Sequence, residues 1–183
     1  SRSKLAQDVR DEIEQLLARE SMPLAAGGNH VWEFVEPNRL LPHVVESCPE
    51  LADAYGRAAN EHMPTREHPW GMLECFDEFV PGDKLKTHAS RKTMALGFNF
   101  QQLGQEVLSK DHSWLIPIVK RASSIHEIQG GWSRMLAIFL DIQLLGPLGL
   151  ATAGVTVMIR GEPLTRFGKL SCRLAHYDGV RIS

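Results

Sequence analysis

The sequence predicts an α+β fold built on a mixed sheet, and three stretches carry that prediction. Residues 71–80 are apolar apart from Glu74, Asp77 and Glu78, are rich in Phe, and stop at Pro81-Gly82, which reads as a strand entering a turn. Met94, Leu96, Phe98 and Phe100 alternate with Ala95, Gly97, Asn99 and Gln101, giving a second strand within 91–103 that closes a hairpin with the first. Residues 131–145, GWSRMLAIFLDIQLL, are apolar on nearly every side and stop at Gly146-Pro147, so a helix packed against that sheet is expected.

The remaining elements follow from local pattern. Leu5, Val9, Ile13, Leu16 and Leu17 fall at helical spacing, with Asp8, Arg10, Asp11, Glu12 and Glu14 on the other faces, as in an amphipathic surface helix. Residues 21–30 contain Pro23 and Gly27-Gly28 and read as a flexible loop after it. Pro37-Asn38 can start a helix over Leu40, Leu41, Val44 and Val45, delayed or bent by Pro42. A further helix opens at Pro49-Glu50 and sets Leu51, Ala54, Tyr55 and Ala58 on one side. Residues 1–69 therefore read as a helical preface and 70–183 as the α+β core. In that core 114–123 is a third strand, placed at an edge by Pro117, which has no N–H to give a neighbour. Strands at 155–160 and 167–176 complete it, with Gly161-Glu162-Pro163 as the turn between them.

At 183 residues, 43% of them hydrophobic and 23% charged, the chain suits one folded domain with its own core. A net charge of −2 gives no global basic bias toward nucleic acid. Cys48, Cys75 and Cys172 include no C-x-x-C, so neither a disulfide framework nor a cysteine-rich zinc site is expected. The opening SRSKLAQDVRDEIEQLLARE is too charged for a signal peptide, and the longest apolar run is interrupted by Arg134 and Asp141. The expectation is an intracellular protein with no membrane partner and no small-molecule cofactor.

Chemistry is sought first at the acidic pair. Period-two alternation puts Leu73, Cys75, Asp77 and Phe79 on one strand face and Met72, Glu74, Phe76, Glu78 and Val80 on the other, so only one of the adjacent acids can face a given site. An Asp on an apolar strand face needs a metal, a cation or donors nearby, or else it caps the Pro-Gly turn. Lys84, Lys86, His88, Arg91 and Lys92 form the densest basic cluster, either a solvated hairpin loop or a surface for phosphates. His62 and His68 sit in a proline-broken loop with no third ligand at a matching spacing, and read as solvated.

Several motifs in order carry a resemblance. They are DEF-x-PG-x-x-L from Asp77 to Leu85, RK-x-M from Arg91 to Met94, F-x-x-LG from Phe100 to Gly104, and GGWS-x-ML from Gly130 to Leu136. GPLGLAT-x-GV from Gly146 to Val155 follows, then KLS and DG between Lys169 and Gly179. Together they resemble a family of repetitive, uncharacterised open reading frames abundant in dinoflagellate genomes, itself distantly similar to the catalytic core of cut-and-paste transposases of the Plavaka or KDZ kind. The resemblance implies an RNase H-like fold: three strands in an antiparallel meander, a crossing helix, then a strand beside the first. It implies two-metal phosphoryl transfer on DNA with Mg²⁺ as cofactor, in the nucleus. The metal would be held by Asp77, with Glu78 beside it, and by Asp178, the acids at 77 and 178 being the catalytic pair. His176 stands where the relatives carry a carboxylate, and nitrogen is a poor replacement for a hard oxygen ligand to Mg²⁺. That departure makes the expected product a fragment or an inactive remnant. The alternative is a non-catalytic binding domain that uses Lys84, Lys86, Arg91 and Lys92 on DNA.

Overall fold

The computed structural model describes residues 11–80 and 92–170. Its architecture is α+β around a four-stranded mixed sheet. β3 (Trp70–Phe79) pairs antiparallel with β4 (Thr93–Phe100), and β4 pairs antiparallel with β5 (Leu115–Arg121). On its other side β3 pairs parallel with β8 (Gly168–Leu170), matching Trp70 to Gly168 and Met72 to Leu170. β5 is an edge strand, which accommodates Pro117. Pro117 and Ile116 stand together opposite Gly97, because Leu96 faces Ile118 while Phe98 faces Leu115: a bulge that lets the proline sit where no ladder bond is required.

Before the sheet come β1 (Leu17–Pro23), β2 (Asn29–Val35), α1 (Pro37–Ser47) and α2 (Pro49–Glu61). The helices start where their prolines allow, and Leu51, Ala54, Tyr55 and Ala58 of α2 are all buried. The loop expected at 21–30 is instead part of a hairpin: β1 and β2 pair antiparallel from Leu17–Val35 to Pro23–Asn29. Gly27 and Gly28 take φ of +95° and +82°, which turns the chain tightly, and Leu24 N donates to Gly28 O at 3.0 Å. The amphipathic pattern at the start was helical only in part. Residues 11–16 are helix, and the strand begins at Leu17 because Met22, Trp32 and Phe34 are needed in the core.

After the sheet's first strands, α3 (Gly104–Leu108) leads to β5, and α4 (Ala122–Glu127) to α5 (Gly131–Leu140). The helix expected over 131–145 changes pitch at Asp141, and Asp141–Leu145 is a π-helical turn. β6 (Val155–Ile159) and β7 (Glu162–Arg166) then form a second small hairpin. Here the expected turn at 161–163 is shortened to Arg160-Gly161, both at positive φ, and Pro163 lies in the strand opposite Met158. Two left-handed residues match the twist of a two-residue hairpin loop, so the strand resumes sooner than proline alone indicates. The last strand is described only to Leu170; the remainder of 167–176 lies outside the described residues.

The two hydrophobic clusters of the described residues meet the main sheet on one face. Trp70, Met72, Phe98, Phe100 and Leu115 pack with α1, α2 and β6, through Leu41, Val45, Tyr55 and Val157. Leu96 and Ile118, farther along the same face, pack with Met22, Trp32, Phe34, Met135 and Phe139 of the first hairpin and α5. The opposite face carries Cys75, Asp77, Phe79, Ile116 and Val119, which are exposed. No described helix is long and apolar enough to cross a membrane.

Candidate functional site

β3 positions the acids. Its register sets Asp77 opposite Ala95 and Glu78 opposite Met94, so the two side chains leave opposite faces of the sheet. Asp77 lies on the open face, exposed. The desolvation that would have required a partner for it is therefore slight. Glu78, on the core side but past the end of the core, forms an ion pair with Lys92, Oε1 to Nζ 2.6 Å, with both side chains nearly half exposed. Asp178, His176, Lys84, Lys86 and Arg91 lie outside the described residues. The structure thus brings together one expected metal ligand and one expected phosphate contact, Glu78 and Lys92, and separates Asp77 from Glu78.

A pair of Mg²⁺ ions requires several carboxylates converging on centres roughly 3.5 to 4 Å apart. Among the described residues no three His, Cys, Asp or Glu side chains converge in that way. Asp77 and Glu78 cannot share an ion across the sheet, and Glu78 already has a cation. The described acids do not fit a two-metal centre by themselves.

The carboxylate with the most unusual setting is Glu74. It shares a face with Met72 and Phe76 and sits opposite Phe98, so it points into the protein. Burial pushes its pKa up to about 8, and the neighbouring Gln143 side chain opposes the rise. No regular hydrogen bond joins the two: both Glu74 carboxyl oxygens, and both polar side-chain atoms of Gln143, lack a partner. The alternation across 72–80 already places Glu74 on the face of Met72; what the alternation does not contain is the depth of burial along the strand.

A second buried ionic group lies at the base of β3. Arg166 is fully buried, with its guanidinium carbon 4.6 Å from the Trp70 ring centre and 5.8 Å from that of Tyr55. Nη2 donates to Tyr55 O at 3.2 Å, while Nε and Nη1 have no partner. Burial pulls its pKa down to about 10, partly offset by Tyr55. The arrangement is a cation held by aromatic faces, and it fixes the β6–β7 hairpin to α2.

His62 and His68 line a shallow cavity with Glu67, Trp70, Gln102 and Lys169. His62 O accepts from Trp70 Nε1 at 2.6 Å, so the backbone there supports the core. No protein family, curated protein or solved structure matches the chain.

Proposed function

We propose that this chain is a transposon-derived domain of the RNase H-like nuclease type that no longer cleaves DNA. The observation that carries the reading is the order of strands around the acid. β3, which bears Asp77, begins an antiparallel meander through β4 to β5, and after the helices β8 returns parallel beside β3. The motif resemblance implies such an order of strands, to which the β6–β7 hairpin between the helices and β8 is an addition. Loss of activity is supported by three features: the split of Asp77 and Glu78 onto opposite faces, the Glu78–Lys92 pair, and His176 where relatives carry a carboxylate.

The test is a plasmid-nicking assay on the 183-residue chain with Mg²⁺ and then Mn²⁺ at millimolar concentration. Background-level nicking is expected with both ions, and Asp77→Ala should change nothing. Metal-dependent cleavage that disappears in Asp77→Ala would overturn the inactive reading and establish a working nuclease.

A further inference from the structure

The seam between β3 and the π-helical turn after α5 encloses two polar side chains that nothing satisfies. Glu74 extends from the covered face of β3, between Met72 and Phe76 along the strand and opposite Phe98 across it. Gln143 projects from the turn Asp141–Leu145 and is fully buried. All four of their side-chain oxygen and nitrogen atoms are sealed from solvent and without a hydrogen bond. A buried polar atom left in that condition is costly, and π-helical turns often mark places where such a cost is kept for a purpose.

The two groups can close two hydrogen bonds in the neutral state and only one, from the amide N–H, in the ionised state. A neutral carboxyl offers one O–H and one carbonyl oxygen; a primary amide offers one carbonyl oxygen and an N–H. Set face to face, they close a ring of two hydrogen bonds that satisfies both. An ionised carboxylate still accepts from the amide N–H but has no proton to give, and it leaves the amide oxygen without a donor. A metal ion is the poorer occupant, since one carboxylate and one amide oxygen fall well short of the six or more oxygens that Ca²⁺ takes, and Mg²⁺ would have to bring most of its water with it.

We propose that Glu74 and Gln143 form a buried proton-binding site, and that the proton it holds fastens the π-helical turn, and α5 with it, onto β3. The proton enters from solvent and resides on a Glu74 carboxyl oxygen, donated to Gln143 Oε1, while Gln143 Nε2 donates to the second carboxyl oxygen. When the proton leaves, the bond to Gln143 Oε1 is lost, only the Nε2 donor remains to face a buried negative charge, and the pull of that charge toward water opens the seam. At its other end α5 meets β3 through Trp132 and Phe76, ring centres 6.3 Å apart, so opening would loosen the strand segment that carries Asp77 and Glu78.

Among the described residues the charged groups on the elements packed here are exposed or engaged elsewhere: on α5, Arg134 is exposed. On β3, Cys75 and Asp77 face the opposite side and Glu78 is paired with Lys92. β4 contains no ionisable residue. On β5, Lys120 is bonded to His30 at 3.0 Å and Arg121 is exposed; on β8, Lys169 is exposed; on the turn, Asp141 is exposed. On α1, Arg39 pairs with Glu36, His43 lies 3.8 Å from Glu12, and Glu46 accepts from Met158 N. The rise of the Glu74 pKa to about 8 follows from burial first, with Gln143 opposing it.

The sign of the pH effect is then fixed. The folded chain binds this proton more tightly than the unfolded chain, whose carboxyl titrates near 4.5. Relative to a variant that cannot ionise, the wild type is equal below that pH and loses about tenfold in its folding equilibrium per pH unit until about 8, after which the difference is level.

The experiment compares urea unfolding of wild type and Glu74→Gln from pH 4 to 9, with a carbon-detected NMR titration of the Glu74 carboxyl and hydrogen exchange at the turn amides of Gly146 and Leu150, which bond to Asp141 O and Gln143 O. Glu74→Gln should gain on wild type by on the order of a thousandfold across that window. The turn amides should lose protection above pH 8 in wild type alone. A Glu74 carboxyl that titrates near 4.5 would overturn the proposal, whether or not the variant folds. A titration displaced by Na⁺, K⁺ or Mg²⁺ would also overturn it, by making the occupant a cation instead of a proton.

Discussion

The two ends of β3 are similar in sequence and opposite in environment. At the base, Trp70 and Met72 are 1% and 0% exposed, held between β4 and β8 under α2. At the tip, Phe76 and Phe79 are 62% and 41% exposed, although they occupy opposite faces of the same strand. Both ends are rich in large apolar side chains, so apolarity does not separate them. The packing partners do: Tyr55 and Phe100 have ring centres 5.9 and 5.7 Å from Trp70, whereas Phe76 meets only the Trp132 ring, at 6.3 Å, among the described aromatic pairs. Strand propensity reports that a segment fits a pleated surface, and burial is decided by what lies across from it. Of the acids expected to carry chemistry, the described ones, Asp77 and Glu78, belong to the tip, and the buried carboxyl, Glu74, marks the point where the base ends.

Truncating one aromatic at each end of β3 should separate the two environments most widely. Trp70→Ala should cost about 3 to 5 kcal/mol, the usual range for deleting a buried large aromatic, and Phe76→Ala no more than about 1 kcal/mol. Should Trp70→Ala fail to fold, Trp70→Phe keeps most of the volume, removes the bond to His62 O, and should still be the more damaging change. Equal losses at the two ends, measured by chemical unfolding, would mean that the tip is covered in solution.

A smaller effect tests how the base is held. Arg166→Lys keeps the charge but replaces a flat, weakly hydrated guanidinium with a compact ammonium that stacks poorly on Trp70 and Tyr55. A loss of about 2 kcal/mol is expected, of the size of a desolvated cation–π contact. The control is Arg160→Lys, at the exposed pair with Asp53, where roughly 0.5 kcal/mol or less is expected. If the two substitutions proved equivalent, the aromatic box would not be the clamp between the β6–β7 hairpin and α2.

These energetic contrasts also mark what could be read from sequence. The hairpin around Phe76 and Phe98, the edge position of β5 and both proline-started helices follow from local pattern, because alternation and turn chemistry act over a few residues. The first hairpin is missed, because Gly27-Gly28 read as a loop and the inward pair Trp32 and Phe34 is masked by the exposed Val31 beside them. Arg160 gives no signal either, since an arginine at φ +52° is uncommon, and it takes that conformation as the first residue of the two-residue turn, where its side chain also pairs with Asp53. For the candidate site, alternation correctly divides Asp77 from Glu78. It could not show that Lys92 would return across the hairpin to Glu78, or that Gln143 would meet Glu74, because both are contacts between segments distant in sequence.

The smallest expected effect is at the Glu78–Lys92 pair, and it bears most directly on the tip. An ion pair with both side chains nearly half exposed is screened by water on several sides, and each long side chain must give up rotamer freedom to hold a 2.6 Å contact. A double-mutant cycle with Glu78→Gln and Lys92→Met should therefore give a coupling of about 0.2 to 1 kcal/mol. Raising ionic strength to about 1 M contracts the Debye length to roughly 3 Å and should erase most of it. Such a weak pair leaves Lys92 free to exchange Glu78 for another anion at little cost. A coupling above about 2 kcal/mol that survives high salt would show the reverse, an ordered and desolvated tip in which Glu78 and Lys92 are committed to each other. The contrast between the two ends of β3 would then reduce to a difference in side-chain exposure alone.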